Sequence, residues 1–201
     1  MFQFTATQML REVYDNLSER RQLLNSYVFG YECIPAPEGL SWAARTDQEV
    51  LAFMRGTLGG SALESLYLYV TEGRRFWECN PDREMDRAYE LIVFAWNSDP
   101  DDVATRPAER VYQAATARLK LDAHASGAKE LEAICEDELS IKEIAAIAMV
   151  EEKTVRNATF KEGDTGLKTI KRGHSVVVDM KEAHRWLSRR RGFVQTQMKE
   201  A

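Results

Sequence analysis

Between Leu139 and Phe160 the chain reads LSIKEIAAIAMVEEKTVRNATF, and this stretch restricts the fold more than any other. Ser140 and Glu143 stand at capping-box spacing, where two backbone donors orphaned at a helix start are satisfied reciprocally. Ile141, Ile144, Ala145 and Ala148 then recur at helical spacing and make one narrow apolar face. The periodicity breaks at Met149 to Glu151. A second helical run, Glu152 to Phe160, turns Val155, Ala158 and Thr159 inward and Lys153, Arg156 and Asn157 outward. The small Ala145 lets the two helices cross closely, with Val150 and Val155 filling the angle between them. The pattern predicts a helix-turn-helix whose second helix is slim and polar outside, as an element entering a DNA major groove must be. An ordinary helical hairpin would show the same periodicity.

The residues that follow extend the pattern. Leu167 to Ile170 and Ser175 to Val178 are strand-like, and the turn between them, Lys171 to His174, contains Gly173, which can supply the positive φ of a tight hairpin. Strand, basic turn and strand make a wing. Asp179 and Glu182 again have capping-box spacing and open a helix with Ala183, Trp186 and Leu187 inward. Arg189, Arg190 and Arg191 close it, with Gly192 as the stop.

With these residues in place, the C-terminal quarter to third of the chain resembles the winged helix-turn-helix domains of the mercury-resistance regulator (MerR) and phage excisionase class. The resemblance is carried by EIA at 143–145, TVRN at 154–157, GL at 166–167, KRG at 171–173 and VDMKEAHRWL at 178–187. Met149 stands where that family usually has its turn glycine, and Glu151 where it has a Ser or Thr cap. Such domains usually open their chains or stand alone, so the resemblance implies nothing about residues 1–137.

Charge is distributed unevenly. The net charge is −5, yet residues 153–201 carry 12 Lys and Arg against 5 Asp and Glu, which leaves +7 there and −12 on residues 1–152. An asymmetry of that size is expected when one end of a chain meets a polyanion; a solvated charged tail is the alternative.

The chain has 201 residues, enough for one sizeable domain or two small ones, and its 44% hydrophobic content is that of a globular protein. No apolar run is long enough to span a bilayer, and MFQFTATQML lacks the regions of a signal peptide, so a cytoplasmic location is expected. Cys33, Cys79 and Cys135 are widely spaced and odd in number, which fits buried thiols in a reducing compartment and not a zinc site.

Residues 1–127 read as a helical domain. Thr5 with Gln8 opens a long amphipathic helix through Leu10, Val13, Leu17 and Leu24. The segment 30–45, with Pro35 and Pro37, is a loop whose Tyr31 and Trp42 cover a core or line a pocket. Thr46 with Glu49 opens a helix through Val50, Leu51 and Met54 that stops at Gly59 and Gly60, and Ser61 with Glu64 opens the next, through Leu63, Leu66, Tyr67 and Val70 to Gly73. The Gly pair lacks the strand and the Lys-Ser or Lys-Thr of a P-loop and is punctuation. Arg74, Arg75, Phe76 and Trp77 form a basic-aromatic cluster, read as a packed loop, with base stacking or anion binding as the functional alternative. Asn80 and Pro81 start a helix to Trp96. After the acidic linker 97–106, Pro107 starts one with Val111, Tyr112, Ala115 and Leu119 inward, and 128–138 reads as a connecting helix.

The expected fold is therefore mainly α: a helical domain, 1–127, for dimerisation, partner binding or effector sensing, then a winged helix-turn-helix, 128–201, with a two-stranded wing. Its expected function is sequence-specific binding of double-stranded DNA, as a homodimeric bacterial or mobile-element transcriptional regulator. The alternatives are a phage or plasmid architectural or packaging protein, and a winged helix that binds protein. The side chains expected to meet DNA are Lys153, Thr154, Arg156 and Asn157 on the second helix, Lys161 after it, Lys168, Lys171, Arg172 and His174 around the wing, and Arg185, Arg189, Arg190 and Arg191 along the last helix and its end. His124, His174 and His184 have no metal-spaced partner, Asp99, Asp101 and Asp102 read as a solvated loop, and no nucleophile and base pair or cofactor fingerprint is present. No metal, cofactor or enzymatic activity is expected.

Overall fold

The computed structural model describes residues 2–24, 46–77, 81–96, 106–126, 131, 134 and 136–197. The three cysteines, the loop 30–45, the acidic linker up to residue 105 and most of the connecting segment lie outside the described residues. The chain is mainly helical with a small three-stranded antiparallel sheet near its C-terminus. Its elements are α1 (Ala6–Leu24), α2 (Asp47–Arg55), α3 (Leu58–Glu72), α4 (Asp82–Trp96), α5 (Pro107–Ser126), β1 (Glu138–Ser140), α6 (Ile141–Ile147), α7 (Glu152–Thr159), β2 (Ile170–Arg172), β3 (Ser175–Asp179) and α8 (Met180–Leu187). Among the described residues no helix is long and apolar enough to cross a membrane.

Contacts divide the chain into two compact units: residues 3–65 with 82–112, and residues 1–2 and 66–81 with 113–201. The described elements of the first unit are all helices. Thr5 and Gln8 form their capping box, with Gln8 Oε1 accepting from the Thr5 amide at 2.8 Å and Thr5 Oγ1 from the Gln8 amide at 3.2 Å. Met9, Leu10, Val13, Tyr14 and Leu17 of α1 are buried, and Tyr14 meets Phe53 of α2 edge-on at 5.2 Å. Met85, Ala88, Ile92 and Ala95 give α4 its buried stripe.

Gly59 and Gly60 do not stop a helix, contrary to the sequence pattern. Helix α2 ends at Arg55 with Gly56 as its C-cap, and α3 already begins at Leu58, so both Gly59 and Gly60 lie in its first turn. The cap is Thr57, whose hydroxyl donates to Met54 O at 2.7 Å and accepts from the Gly60 amide at 3.0 Å. A Cβ on Gly60 would lie 2.3 Å from Met54 O, so the glycine permits close approach instead of ending a helix. Glu64, expected to pair with Ser61, instead binds Arg55 at 2.6 Å.

In the second unit, Ala117 and Leu121 of α5 share a core with Leu139, Ile141, Ile144, Ala145, Ile147, Val155, Ala158, Leu167, Val178, Met180, Ala183, Trp186 and Leu187. The expected connecting helix does not reach Glu138, which opens a strand. That strand adds a third member to the expected two-stranded β2–β3 wing, in the order β1-β3-β2. β1 pairs with β3 as Glu138↔Asp179 to Ser140↔Val177, and β2 with β3 as Ile170↔Val177 to Arg172↔Ser175. The hairpin turn is the two residues Gly173–His174, with positive φ only at Gly173, as a type II′ turn requires. Lys171 and Arg172, placed in the turn by the sequence pattern, are the last residues of β2, and the strand predicted from Leu167 begins at Ile170.

Candidate nucleic-acid interface

Helix α6 starts from a complete capping box: Ser140 Oγ accepts from the Glu143 amide at 3.2 Å, and Glu143 Oε2 from the Ser140 amide at 2.7 Å. Lys120 of α5 reaches the same Glu143 at 2.8 Å and Glu136 at 2.9 Å. Burial pushes the Glu143 carboxyl up, but the hydrogen bonds from Lys120 and Ser140 outweigh it and hold the group below the ordinary glutamate range. One half-buried carboxylate thus fixes the start of α6 and ties it to α5.

The turn that follows is a Schellman motif. Ala148 is the C-cap of α6, the Met149 amide donates to Ala146 O at 3.1 Å, and the Val150 amide to Ala145 O at 3.0 Å. Met149 sits in the left-handed region at φ 54°, a conformation that glycine adopts without strain. Helix α7 then buries Val155 and Ala158 and exposes Lys153, Thr154, Arg156 and Asn157. Glu151 caps it with extended backbone and no side-chain hydrogen bond. Arg156 pairs with Glu152 at 3.3 Å across one helical turn, an exposed contact worth about 0.3–0.5 kcal/mol and easily given up to a ligand.

The remaining predicted contact residues fall into two groups. Lys161, Lys168, Lys171, Arg172 and His174 are exposed in the connection and wing, Arg172 with Glu138 of β1 at 2.7 Å. That bond, rather than burial, holds its guanidinium charged above the usual arginine range. Arg189 and Arg191 are also exposed. Arg185 and Arg190 are engaged within the protein. Arg185 donates to both Glu182 oxygens at 2.6 Å and to Gly166 O at 2.7 Å, while Lys168 N donates to Glu182 Oε1 at 2.8 Å. The Arg185 bond is the main reason the Glu182 carboxyl is held below its ordinary range. Glu182 is thereby committed, and the Asp179 box is only half formed: Asp179 Oδ1 accepts from the Lys181 and Glu182 amides at 2.9 and 3.4 Å, with no return bond. Arg190 lies 3.8 Å over the Trp186 ring, and desolvation there lowers its pKa.

Sequence periodicity missed a buried polar cluster in the same unit. Arg118 of α5, 1% exposed, donates to Val70 O at 2.9 Å, to Thr196 Oγ1 at 3.1 Å and to Val194 O, and lies over the rings of Tyr69 and Phe193 at 5.0 and 5.4 Å. Asp122, one turn later, accepts at Oδ2 from Tyr69 at 2.6 Å and from Thr196 at 2.5 Å, and stands 3.9 Å from the Arg118 guanidinium. Burial raises the Asp122 carboxyl and lowers the Arg118 guanidinium. Gly73, at φ +70°, completes the latch by accepting from the Gln197 amide at 2.9 Å; a Cβ there would lie 2.4 Å from Gln195 O. The segment 193–197 is thus fastened to α3 and α5. Next to it the basic-aromatic cluster is packed: Trp77 is buried, edge-on to Tyr69 at 5.5 Å and Phe76 at 4.8 Å, with Arg75 over its ring at 5.1 Å.

No group of three or more His, Cys, Asp or Glu suited to a metal ion occurs among the described residues. No protein-family model matches the chain, and neither a curated protein nor a solved structure matches it.

Proposed function

We propose that the chain is a sequence-specific double-stranded DNA-binding protein, a cytoplasmic transcriptional regulator in which α7 is the reading helix and the β2–β3 hairpin the wing. The observation that carries this is α7 itself, with Val155 and Ala158 buried and its other side exposing Lys153, Thr154, Arg156 and Asn157. Arg and Asn are the side chains that pair bidentately with guanine and adenine edges, and an eight-residue helix with so slim an apolar face fits the major groove. Further support comes from the exposed cations Lys161, Lys168, Lys171 and Arg172, which follow α7 along the chain. A single small head reads few base pairs, so a homodimer that doubles the site is part of the proposal.

The test is selection of bound duplexes from random DNA with the full chain, followed by titration of the selected site and of scrambled DNA. Arg156→Ala should weaken the selected site by about 1–3 kcal/mol and scrambled DNA less. Absence of any selected duplex would refute the proposal, and equal loss on both DNAs would reduce Arg156 to a phosphate contact. Light scattering that returned a ring or filament instead of a dimer would favour an architectural or packaging role.

A further inference from the structure

We propose that Phe160 is a base-reading residue that recognises the 5-methyl group of a thymine beside the base pair met by Arg156 and Asn157. The inference rests on the DNA-binding reading above and names a base that the reading helix selects.

Phe160 is the C-cap of α7 and is 85% exposed, more than any other large hydrophobic side chain among the described residues. Positions 156 and 157 are each three or four residues from both 153 and 160, so Lys153, Arg156, Asn157 and Phe160 form one stripe along the helix, opposite the buried Val155 and Ala158. Phenylalanine is ordinarily drawn into a core. Here the ring stands among polar and cationic neighbours, with Lys161 next to it and also exposed. Lysine is depleted at protein interfaces, so this setting fits a polyanion better than a protein partner.

The major groove of DNA offers one apolar group among its base edges, the thymine methyl, and phenylalanine is among the side chains that meet it. The spacing agrees. With a rise of about 1.5 Å per residue, Phe160 lies roughly 5–6 Å along the helix from Arg156 and Asn157, which is one to two base pairs at about 3.4 Å each. The carboxylates of Glu151 and Glu152, both exposed at the other end of α7, repel phosphate and favour entry by the half of the stripe that carries Arg156, Asn157 and Phe160.

The experiment uses the full chain and a duplex it selects from random DNA. Each thymine of that site is replaced in turn by deoxyuridine, which keeps every hydrogen-bonding edge and removes only the methyl group. Fluorescence anisotropy should show wild-type affinity falling about 4-fold at one thymine, the worth of one buried carbon. Phe160→Ala should bind the parent site more weakly and lose that sensitivity, while keeping its discrimination at the base pair of Arg156. Its melting temperature should stay near that of the wild type, because the ring is exposed.

A wild type indifferent to every replacement, a Phe160→Ala variant with unchanged sensitivity, or a selected site without thymine would overturn the proposal. If the wild type selects no duplex at all, the DNA-binding reading fails with it, and that outcome precedes any substitution. A variant that changes the oligomeric mass and keeps the thymine sensitivity would assign the ring to a protein contact and also overturn it.

Discussion

Replacing Arg118 by Met removes the charge at the centre of the latch and keeps most of the side-chain volume. In the folded chain the guanidinium binds Val70 O, Val194 O and Thr196 Oγ1 and faces the Asp122 carboxylate. Its loss leaves Asp122 buried without its cation and two carbonyls without a donor. Breaking a buried pair in this way costs about 3–5 kcal/mol, a large part of the roughly 5–15 kcal/mol that holds an ordinary domain together. With a urea dependence of about 2 kcal/mol per molar, the midpoint followed by tryptophan fluorescence should fall by about 1.5–2.5 M. The partner substitution separates charge from shape. In Arg118→Met/Asp122→Asn the amide oxygen still accepts from Tyr69 and Thr196 and no buried charge is left unpaired, so the double variant should be more stable than the sum of its singles by about 1–3 kcal/mol. Strict additivity, or a loss below about 1 kcal/mol for Arg118→Met alone, would refute the pairing argument.

Glu143→Gln should destabilise by about 1 kcal/mol at neutral pH through its weakened cap and the loss of Lys120. Because the folded carboxyl is held below its ordinary range, its contribution is present above that range and lost as pH falls through the folded value, so urea midpoints of variant and wild type should converge in acid. Met149→Gly relieves a left-handed residue worth about 1–2 kcal/mol of strain and offsets it with chain entropy, so it should be neutral or slightly stabilising, while Met149→Val should melt several degrees lower. Lys171→Gln/Arg172→Gln should weaken specific and non-specific DNA binding alike and reduce the salt slope by up to about 2. Arg185→Gln should act mainly on the melting temperature, since its guanidinium holds Glu182 and Gly166 O; a pure loss of DNA affinity in a fully stable variant would overturn that assignment.

What sequence made legible was local. The boxes at Thr5, Thr46 and Ser140 close within four residues, and the faces of α6, α7 and α8 follow from helical spacing, so Ile144, Val155 and Trp186 are buried as their periodicity implies. The failures come from competing partners that spacing alone does not reveal. Glu182 has the right spacing to close a box, but Arg185 and Lys168 N already hold it. Three residues of β1 are too few to show alternation, and their pairing with β3 lies some 40 positions away. Arg118 has partners 48 and 78 residues distant in Val70 and Thr196, beyond the reach of any periodicity argument. Within the candidate interface, the outward side chains of α7 were legible and the inward ties of Arg185 and Arg190 were not, because a helix wheel shows only direction and not what stands there.

Ser140 and Asp179 each hold two posts at once, as the last residue of a strand and the cap of a helix, and their strands are hydrogen-bonded neighbours. A one-residue insertion within β1 or β3 would shift the ladder and unseat a helix start in the same stroke. The Gly173–His174 tip has no such second duty: nothing lies within 4 Å of where a Gly173 side chain would begin, and both strands can be extended in pairs beyond it. Length variation in this region is therefore best tolerated at the tip, where it alters the reach of the hairpin and leaves the starts of α6 and α8 in place.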